Sequence, residues 1–492
     1  MDKYNSDFAN FCGQLWHSQI PSIRDHYRCG NHSPPHISSE GLNIAEWSRT
    51  RPAEITREDV DIGSDIQGIQ WDKLELGRKE ARRWRQGRYI NYRNIQSFTK
   101  EGRQPIRSNR EFFTFLRHNT LRCRLMHFQL RNVLALTDRN NIFFSNGDQV
   151  TSFHPVTNTI RQPFLDLSDE AHGDYYPIRI STLGACGGPD AVLMAGGFNG
   201  TFAIKPLNAN ISDPPITGAI TGHENGITNH IQIIRSRRTS TPQAVICSND
   251  NHIRILDIVD PRRRFISHHS FAWAVNCSAT SPDSRLRAVV GDSKDVLIVD
   301  AERGRTEFTL PGHQDFGFAA AWSDDGYTIA TGNQDQTVRI FDARNLSSTL
   351  KTFSMTMAGC RTLKFSPMGN GNRQVLAMAE PADLLHFVDT KTWEHAQTVS
   401  FWGEVGGLDF TPDGEQVVVA NCDRYVGGVM TLQRKKGTDW YPDWTPDWEE
   451  KKTAEEEKFI EVDGGTRLGR RERTGKGGRW KRLGSGGLAV MV

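Results

Sequence analysis

The fold of this chain is decided by residues 312–342, GHQDFGFAAAWSDDGYTIATGNQDQTVRIFD. Apolar residues alternate through Phe316, Phe318 and Trp322, and two further β-rich stretches follow. Turn residues separate the three stretches, SDDG at 323–326 and NQDQ at 333–336. Short alternating segments with turn residues between them predict an antiparallel meander of strands.

The Gly-His opening and the aromatic-Asp ending of this unit resemble the WD repeat. Weaker copies flank it, and the central strands of the seven units begin near 133, 191, 244, 288, 328, 375 and 417. A single four-stranded blade cannot cover both of its faces, whereas a ring buries each blade between two neighbours. The sequence therefore predicts an all-β fold, a seven-bladed WD40 β-propeller.

Three regions divide the chain. Residues 1–110 have no strand rhythm and predict a loop-rich N-terminal extension with a short charged helix at 72–87. Residues 111–432 hold the propeller, and EFFTFL at 111–116 has no blade of its own. We expect this segment to form the outer strand of the last blade and so to close the ring.

The tail at 433–492 has a composition unlike the propeller. A Pro-Asp-Trp unit repeats there, an acidic run follows, and a basic run rich in glycine ends the chain. Segments with blocks of like charge usually stay solvated, so we expect a disordered low-complexity tail. Trp440, Trp444 and Trp448 are candidate anchors, either for a groove on a partner or for the propeller rim.

Bulk composition excludes several classes of partner. Sixty basic and 58 acidic side chains nearly cancel, so nucleic acid could be met only by the basic end of the tail. No secretory signal and no run of about 18 apolar residues is present, so we expect no membrane partner. The eight cysteines form no CxxC pair, which favours a reducing compartment, the cytosol or the nucleus.

The WD resemblance implies a structural role for several polar residues. In such repeats the opening His, a Ser or Thr, the turn Asp and the final Trp form a buried hydrogen-bond chain. His313, Thr331 and Asp335 match this chain, while Phe341 stands in the place of the Trp. His223 with Asp250 is expected to be a second instance. Buried polar groups need partners, so the role predicted for these residues is structural rather than catalytic.

Four further segments resemble a narrower group, WD-repeat proteins of fungi and plants. They are DIQGIQW at 65–71, YINYRNI at 89–95, RTLKFSP at 361–367 and AEPAD at 379–383. The resemblance covers roughly residues 60–432. It implies a propeller in an intracellular setting and supplies no reaction.

No catalytic or metal motif stands out. The cluster His26, Cys29, His32 and His36 has ligand types that zinc uses, but its spacing matches no common zinc module. Phosphate loops, zinc-protease motifs and nucleophile elbows are not found in a credible context, and no spacing singles out a carboxylate pair for a propeller hydrolase. We expect no enzyme, no metal and no cofactor.

The expected function is a non-catalytic scaffold or adaptor, a monomeric propeller that binds proteins through its rims and tails. The alternative is a substrate receptor of a cullin-type ubiquitin ligase. Phe341-Asp342-Ala343-Arg344 resembles the Trp-Asp-x-Arg ending by which such propellers dock, so Asp342 and Arg344 are the candidate docking residues. Ser240 follows two arginines and is a candidate phosphorylation site in an exposed loop.

Overall fold

The structure, a computed structural model, describes residues 50–71, 77–86, 89, 104–168, 178–210, 212–258, 265–369 and 373–436. The elements before the first complete blade are β1 (Glu54–Thr56), α1 (Arg57–Asp61), α2 (Arg78–Gln86), β2 (Gln104–Pro105) and β3 (Phe113–Asn119). Among the described residues, no helix is long and apolar enough to cross a membrane.

Antiparallel four-stranded blades make up the rest, each running from an inner to an outer strand. Blade 1 is β4 (Leu134–Asp138), β5 (Asn141–Ser145), β6 (Gln149–His154) and β7 (Thr159–Asp166). Blade 2 is β8 (Ile180–Cys186), β9 (Val192–Gly197), β10 (Thr201–Pro206) and β11 (Ile216–Ala219). Blade 3 is β12 (Thr228–Arg235), β13 (Pro242–Ser248), β14 (His252–Asp257) and β15 (Ser267–Ser270).

The next two blades repeat the pattern. Blade 4 is β16 (Val275–Thr280), β17 (Leu286–Gly291), β18 (Val296–Asp300) and β19 (Thr306–Leu310). Blade 5 is β20 (Gly317–Trp322), β21 (Thr328–Asn333), β22 (Thr337–Asp342) and β23 (Lys351–Ser354).

The last two blades share one long strand. Blade 6 is β24 (Thr362–Phe365), β25 (Val375–Ala379), β26 (Ala382–Asp389) and the first part of β27 (Ala396–Phe410). The second part of β27 is the inner strand of blade 7, which continues with β28 (Gln416–Asn421) and β29 (Gly428–Arg434). With β3 as its outer strand, blade 7 completes a seven-bladed propeller.

The blades stand in a circle because each inner strand packs against the next. β4 contacts β8, the series continues through β12, β16, β20 and β24 to β27, and β27 contacts β4 again. Clusters of buried apolar side chains lie at the junctions between neighbouring blades, including the junction of blades 7 and 1. Burial on both faces of every blade is the main apolar contribution to the stability of the ring.

β3 joins the two ends of the ring. It pairs antiparallel with β29, with Phe113 opposite Arg434 and Asn119 opposite Val429. Compared with the segment 111–116 that the sequence suggested, β3 begins two residues later and ends three residues later. β1 then pairs with the far end of β3, so the N-terminal segment adds a further short strand at this edge.

The turns between inner and second strands use the same short polar side chains in several blades. In blade 5, the backbone N–H of Thr328 donates to Ser323 Oγ (2.9 Å) and that of Tyr327 to Asp325 Oδ1 (2.9 Å). In blade 7, Gln416 N–H donates to Thr411 Oγ1 at 3.0 Å. Gly326 adopts φ +79°, which glycine tolerates and most residues do not. The SDDG and TPDG sequences form turns for these reasons.

Two expectations about elements need correction. The helix expected at 72–87 spans Arg78–Gln86, and residues 72–76 lie outside the described ranges. The segment near 133, taken as the central strand of the first unit, forms the inner strand β4, while β5 is the second strand. Both stretches are short and apolar, so composition alone does not rank them within the blade.

Candidate protein-binding surfaces

The propeller has two rims with different chemistry. The edge that carries the loops between the second and third strands of each blade is called the upper rim. The opposite edge, which carries the turns between the first and second strands, is called the lower rim. The N-terminal segment, by which we mean residues 50–71 and 77–86, lies on the upper rim at blades 6 and 7, where Gln67 is fully buried. Its side-chain amide donates to Trp402 O (2.7 Å) and accepts from Trp402 N–H (2.6 Å).

Arg85 of α2 is the centre of a buried charge network on the upper rim. Its guanidinium donates to Asp383 Oδ1 (2.9 Å) and to Glu404 Oε1 (2.8 Å). Glu404 also pairs with Arg131 at 2.7 Å. Burial alone would lower the pKa of Arg85, but the charges of Asp383 and Glu404 outweigh it and raise that pKa above its ordinary value. Arg85 therefore stays charged and joins the N-terminal helix to blades 6 and 7.

A second buried contact fixes the start of the N-terminal segment. Arg51 donates to the backbone carbonyl oxygens of Gln67 (2.8 Å) and Tyr425 (2.6 Å), and its Nη2 lies 3.3 Å from His118 Nε2. Burial, followed by the charge of Arg51, lowers the pKa of His118 to about 3. His118 is therefore a neutral hydrogen-bond acceptor, and its role is structural.

The chain of polar residues expected in the fifth blade is present on the same rim. His313 Nδ1 lies 3.0 Å from Asp335 Oδ2, and His313 Nε2 lies 2.9 Å from Thr331 Oγ1. Burial tends to raise the pKa of Asp335, but the hydrogen bond and charge of His313 outweigh it and leave the pKa lowered. Phe341, at the position of the usual Trp, is buried in the cluster between blades 4 and 5.

The expected pair His223–Asp250 is not formed. Asp250 instead receives both ends of the Arg254 guanidinium, at 2.9 and 2.7 Å. His223 is exposed, and its Nδ1 accepts the backbone N–H of Asn225 at 3.1 Å. Arg254 lies on the adjacent strand β14 within reach of Asp250, and its planar fork matches a carboxylate better than one imidazole nitrogen does.

The lower rim carries an exposed patch at blades 5 and 6, which we call the lower-rim patch: Tyr327, Asp342, Arg344 and Met368. Arg344 binds Asp342 through Nε (2.9 Å) and Nη2 (2.7 Å). Its guanidinium carbon lies 4.8 Å from the centre of the Tyr327 ring. Hydrogen bonding to Arg344 lowers the pKa of Asp342 to about 2, so the pair is charged at neutral pH.

Met368 belongs to the same patch through a contact between blades. Its backbone N–H donates to Asp324 Oδ2 (3.1 Å), in the blade 5 turn that leads to Tyr327. Tyr327 is 52% exposed and Met368 is 55% exposed. The backbone of Met368 is thus bound to the same blade 5 turn that leads to Tyr327, and both side chains are exposed.

The other sequence candidates fall elsewhere. Ser240 lies in an exposed turn, where its backbone carbonyl accepts from Arg235 Nη1 at 3.0 Å. Trp440, Trp444 and Trp448, and the cluster from His26 to His36, lie outside the described residues. Within the described part of the chain, no three His, Cys, Asp or Glu side chains are grouped as a metal ion would need. The six cysteines described there are free thiols.

Sequence reasoning missed the residues of the upper-rim network. Arg85, Arg51 and Glu404 were not singled out, although Gln67 and Asp383 fall in segments that carried the resemblance to fungal and plant proteins. Those segments, DIQGIQW and AEPAD, meet on the upper rim through Gln67–Trp402 and Arg85–Asp383. The signal available in the sequence was that polar residues, Gln67 and Asp383, lie within the two segments that carried the resemblance.

Comparison with known proteins agrees with this architecture. Residues 304–342 match the family model described as WD domain, G-beta repeat. No curated protein sequence matches the chain. A chain of the solved structure described as "Crystal Structure of Mitotic Checkpoint Complex" is similar, with a TM-score of 0.51 and 17% identity, over 71% of this chain and 100% of that chain.

At this level of identity the likeness shows the fold. The chain has the fold of a WD40 β-propeller, as the sequence predicted, and its residues 304–342 match a WD repeat. WD40 propellers are in general non-catalytic scaffolds for protein interactions.

Proposed function

We propose that this protein is a non-catalytic scaffold that binds another protein through the lower-rim patch. The observation that carries the proposal is the fixed geometry of Arg344. Its side chain is 67% exposed, yet Asp342 and the Tyr327 ring hold the guanidinium in one orientation. An exposed arginine normally loses side-chain freedom when it binds, and here much of that entropy has been lost before a partner arrives.

The composition of the patch suits a protein partner. Tyrosine, arginine and methionine are enriched in protein interfaces, and tyrosine and arginine are frequent energetic hot spots. The carboxylate of Asp342 compensates the charge of Arg344, so the patch does not favour a polyanion such as nucleic acid. The neighbouring Asp324 and Asp325 strengthen this argument.

The fold class supports a binding role without chemistry. WD40 propellers generally act as scaffolds, and the solved chain to which this one is similar belongs to a complex. The buried ionisable groups of the described upper rim serve packing: Arg85 joins a helix to two blades, and His313 joins the turns of one blade. We place the protein in the cytosol or the nucleus, a proposal supported by its six described free thiols.

The test is affinity capture from cell extract with the intact protein and two variants, Tyr327→Ala and Arg344→Ala. We expect a stoichiometric partner with the wild type and its loss with both variants. Arg285→Ala is the matched control, because Arg285 is an exposed lower-rim arginine near Asp283 on blade 4. Equal recovery of the partner by all four proteins would contradict a role for the patch, and no partner at all would contradict the scaffold.

A second candidate is the docking of a cullin-type ubiquitin ligase adaptor through residues 341–344. The exposed, oriented guanidinium of Arg344 at the end of β22 favours it, whereas Phe341 is fully buried and offers the adaptor nothing. We expect Arg344→Ala to abolish binding to purified adaptor while Arg285→Ala retains it. Binding that survives Arg344→Ala would exclude this candidate and leave the scaffold proposal untouched.

A further inference from the structure

The inner strands of the blades enclose a cavity of about 300 Å³ on the propeller axis. Arg361 lines this cavity at the point where the chain enters β24, and it is the first residue of the segment RTLKFSP that the sequence singled out. The cavity extends to Asp324, whose carboxylate accepts the backbone N–H of Met368, but none of the four residues of the lower-rim patch lines it. None of the functions discussed so far uses the cavity. Its volume corresponds to the small end of ligand-binding pockets.

The Arg361 side chain is buried and its hydrogen bonding is incomplete. It is 8% exposed, and its Nη2 donates to Gln334 Oε1 at 3.3 Å. The guanidinium carbon lies 3.9 Å from the centre of the Phe318 ring, which fixes the plane of the group. Nε and Nη1 have no hydrogen-bond acceptor among the described residues. A buried guanidinium with two free donors costs folding energy unless an acceptor is supplied.

Two further basic side chains, Arg131 and His127, lie close enough to Arg361 to interact with it electrostatically. Burial lowers the pKa of Arg361 to about 9, with a further contribution from the charge of Arg131, while Asp315 acts weakly in the opposite sense. Burial lowers the pKa of His127 to about 4, and the charges of Arg131 and Arg361 contribute. The charge of Arg131 thus disfavours the protonated form of both Arg361 and His127.

Other basic groups of the cavity have carboxylate partners. Arg131 pairs with Glu404 at 2.7 Å, and Lys364 lies 3.5 Å from Asp409. Arg361 has no carboxylate within ion-pair distance in the described part of the chain. The wall also holds His230, which is neutral because burial lowers its pKa to about 3, and its Nδ1 has no partner among the described groups.

We propose that the axial cavity binds a small molecule with an oxyanion, a phosphate or carboxylate group, which Arg361 holds through its free Nε and Nη1. A guanidinium presents parallel N–H donors that match such oxyanions. The unpartnered Nδ1 of His230 offers a further polar contact to the part of the ligand that lies deeper in the cavity. This site does not depend on the scaffold function.

The test is thermal unfolding of the full-length protein in inorganic phosphate, compared with chloride at equal ionic strength. We expect the Tm of the wild type to rise with phosphate in a saturable way, because a ligand that binds the folded state stabilises it. Arg361→Gln removes the charge and should abolish the phosphate response. Its Tm in chloride should be no lower than that of the wild type, because the variant removes a buried charge without a carboxylate partner.

Two more variants keep the test decisive. Arg361→Lys retains the charge and loses the planar fork, so the phosphate response should weaken without vanishing. Arg434→Gln alters a second buried arginine with a free Nη2, in a basic cleft lined by Arg57, Arg139 and Lys435, and it should keep the full response. No phosphate response in the wild type, an unchanged response in Arg361→Gln, or a response lost only in Arg434→Gln would each overturn the proposal. Repeating the titration with acetate distinguishes a carboxylate site from a phosphate site.

Discussion

Arg85 Nη1 lies 2.9 Å from Asp383 Oδ1, so a helix that precedes the propeller in sequence places a charged group between two of its last blades. Glu404, the second carboxylate bound to Arg85, also binds Arg131 at the start of blade 1. The network therefore spans blades 6, 7 and 1, where β3 joins the two ends of the ring. The strand that closes the ring and the charge network therefore act on neighbouring blades.

The first prediction concerns this network. Arg85→Ala should lower the free energy of unfolding by about 3–5 kcal/mol, because it leaves the carboxylates of Asp383 and Glu404 buried without their shared cation. Urea unfolding at neutral pH measures the change. Arg83→Ala is the control, since Arg83 is exposed on the same helix and should change stability by less than about 1 kcal/mol. Equal effects of the two variants would show that α2 is not anchored by Arg85.

The second prediction concerns the closing strand. Phe113 on β3 is 1% exposed and its ring centre lies 4.7 Å from that of Phe387, so Phe113→Ala should cost about 3–5 kcal/mol. Phe308 occupies the outer strand of blade 4 and is 54% exposed, so Phe308→Ala should cost less than about 1 kcal/mol. Thermal and urea unfolding of both variants provide the comparison. A small effect at Phe113 would mean that β3 contributes little to ring closure.

The fold could be predicted because each blade is a local pattern. Strand, turn and strand follow within about 30 residues around 312–342, and the same turn chemistry recurs at Thr411 and Ser281. Arg85 and Asp383 could not be paired in this way, because 298 residues separate them and neither belongs to a repeat. The prediction of a His223–Asp250 pair was wrong for a related reason. The repeat pattern identifies the positions of the two residues, but it does not show that Arg254 is close enough to bind Asp250 instead.

The third prediction concerns the polar chain of blade 5. Asp335 accepts hydrogen bonds from His313, from the backbone N–H of Gln314 (2.9 Å) and from that of Thr337 (2.9 Å). Asp335→Ala leaves these buried donors without an acceptor, and we expect a loss of at least about 3 kcal/mol. Asp295→Ala alters an exposed acid in the corresponding turn of blade 4 and should be nearly neutral. Comparable losses in both variants would show that the turn, rather than the chain of hydrogen bonds, matters.

The last prediction concerns acid. The pKa of His118 lies at about 3 because burial and Arg51 disfavour its charged form, whereas an unfolded histidine titrates near 6.5. The unfolded state therefore binds the proton more readily, so the stability from neutral His118 is complete above about pH 6.5 and is lost as the pH falls. Between pH 6.5 and 5 the protonation of this histidine alone should lower the free energy of unfolding by about 2 kcal/mol.

Urea unfolding across this pH range should show a smaller pH dependence in His118→Gln, whose amide oxygen can still accept a hydrogen bond from Arg51. His223→Gln, at an exposed histidine, should keep the slope of the wild type, and the same slope in all three proteins would mean that His118 does not resist protonation.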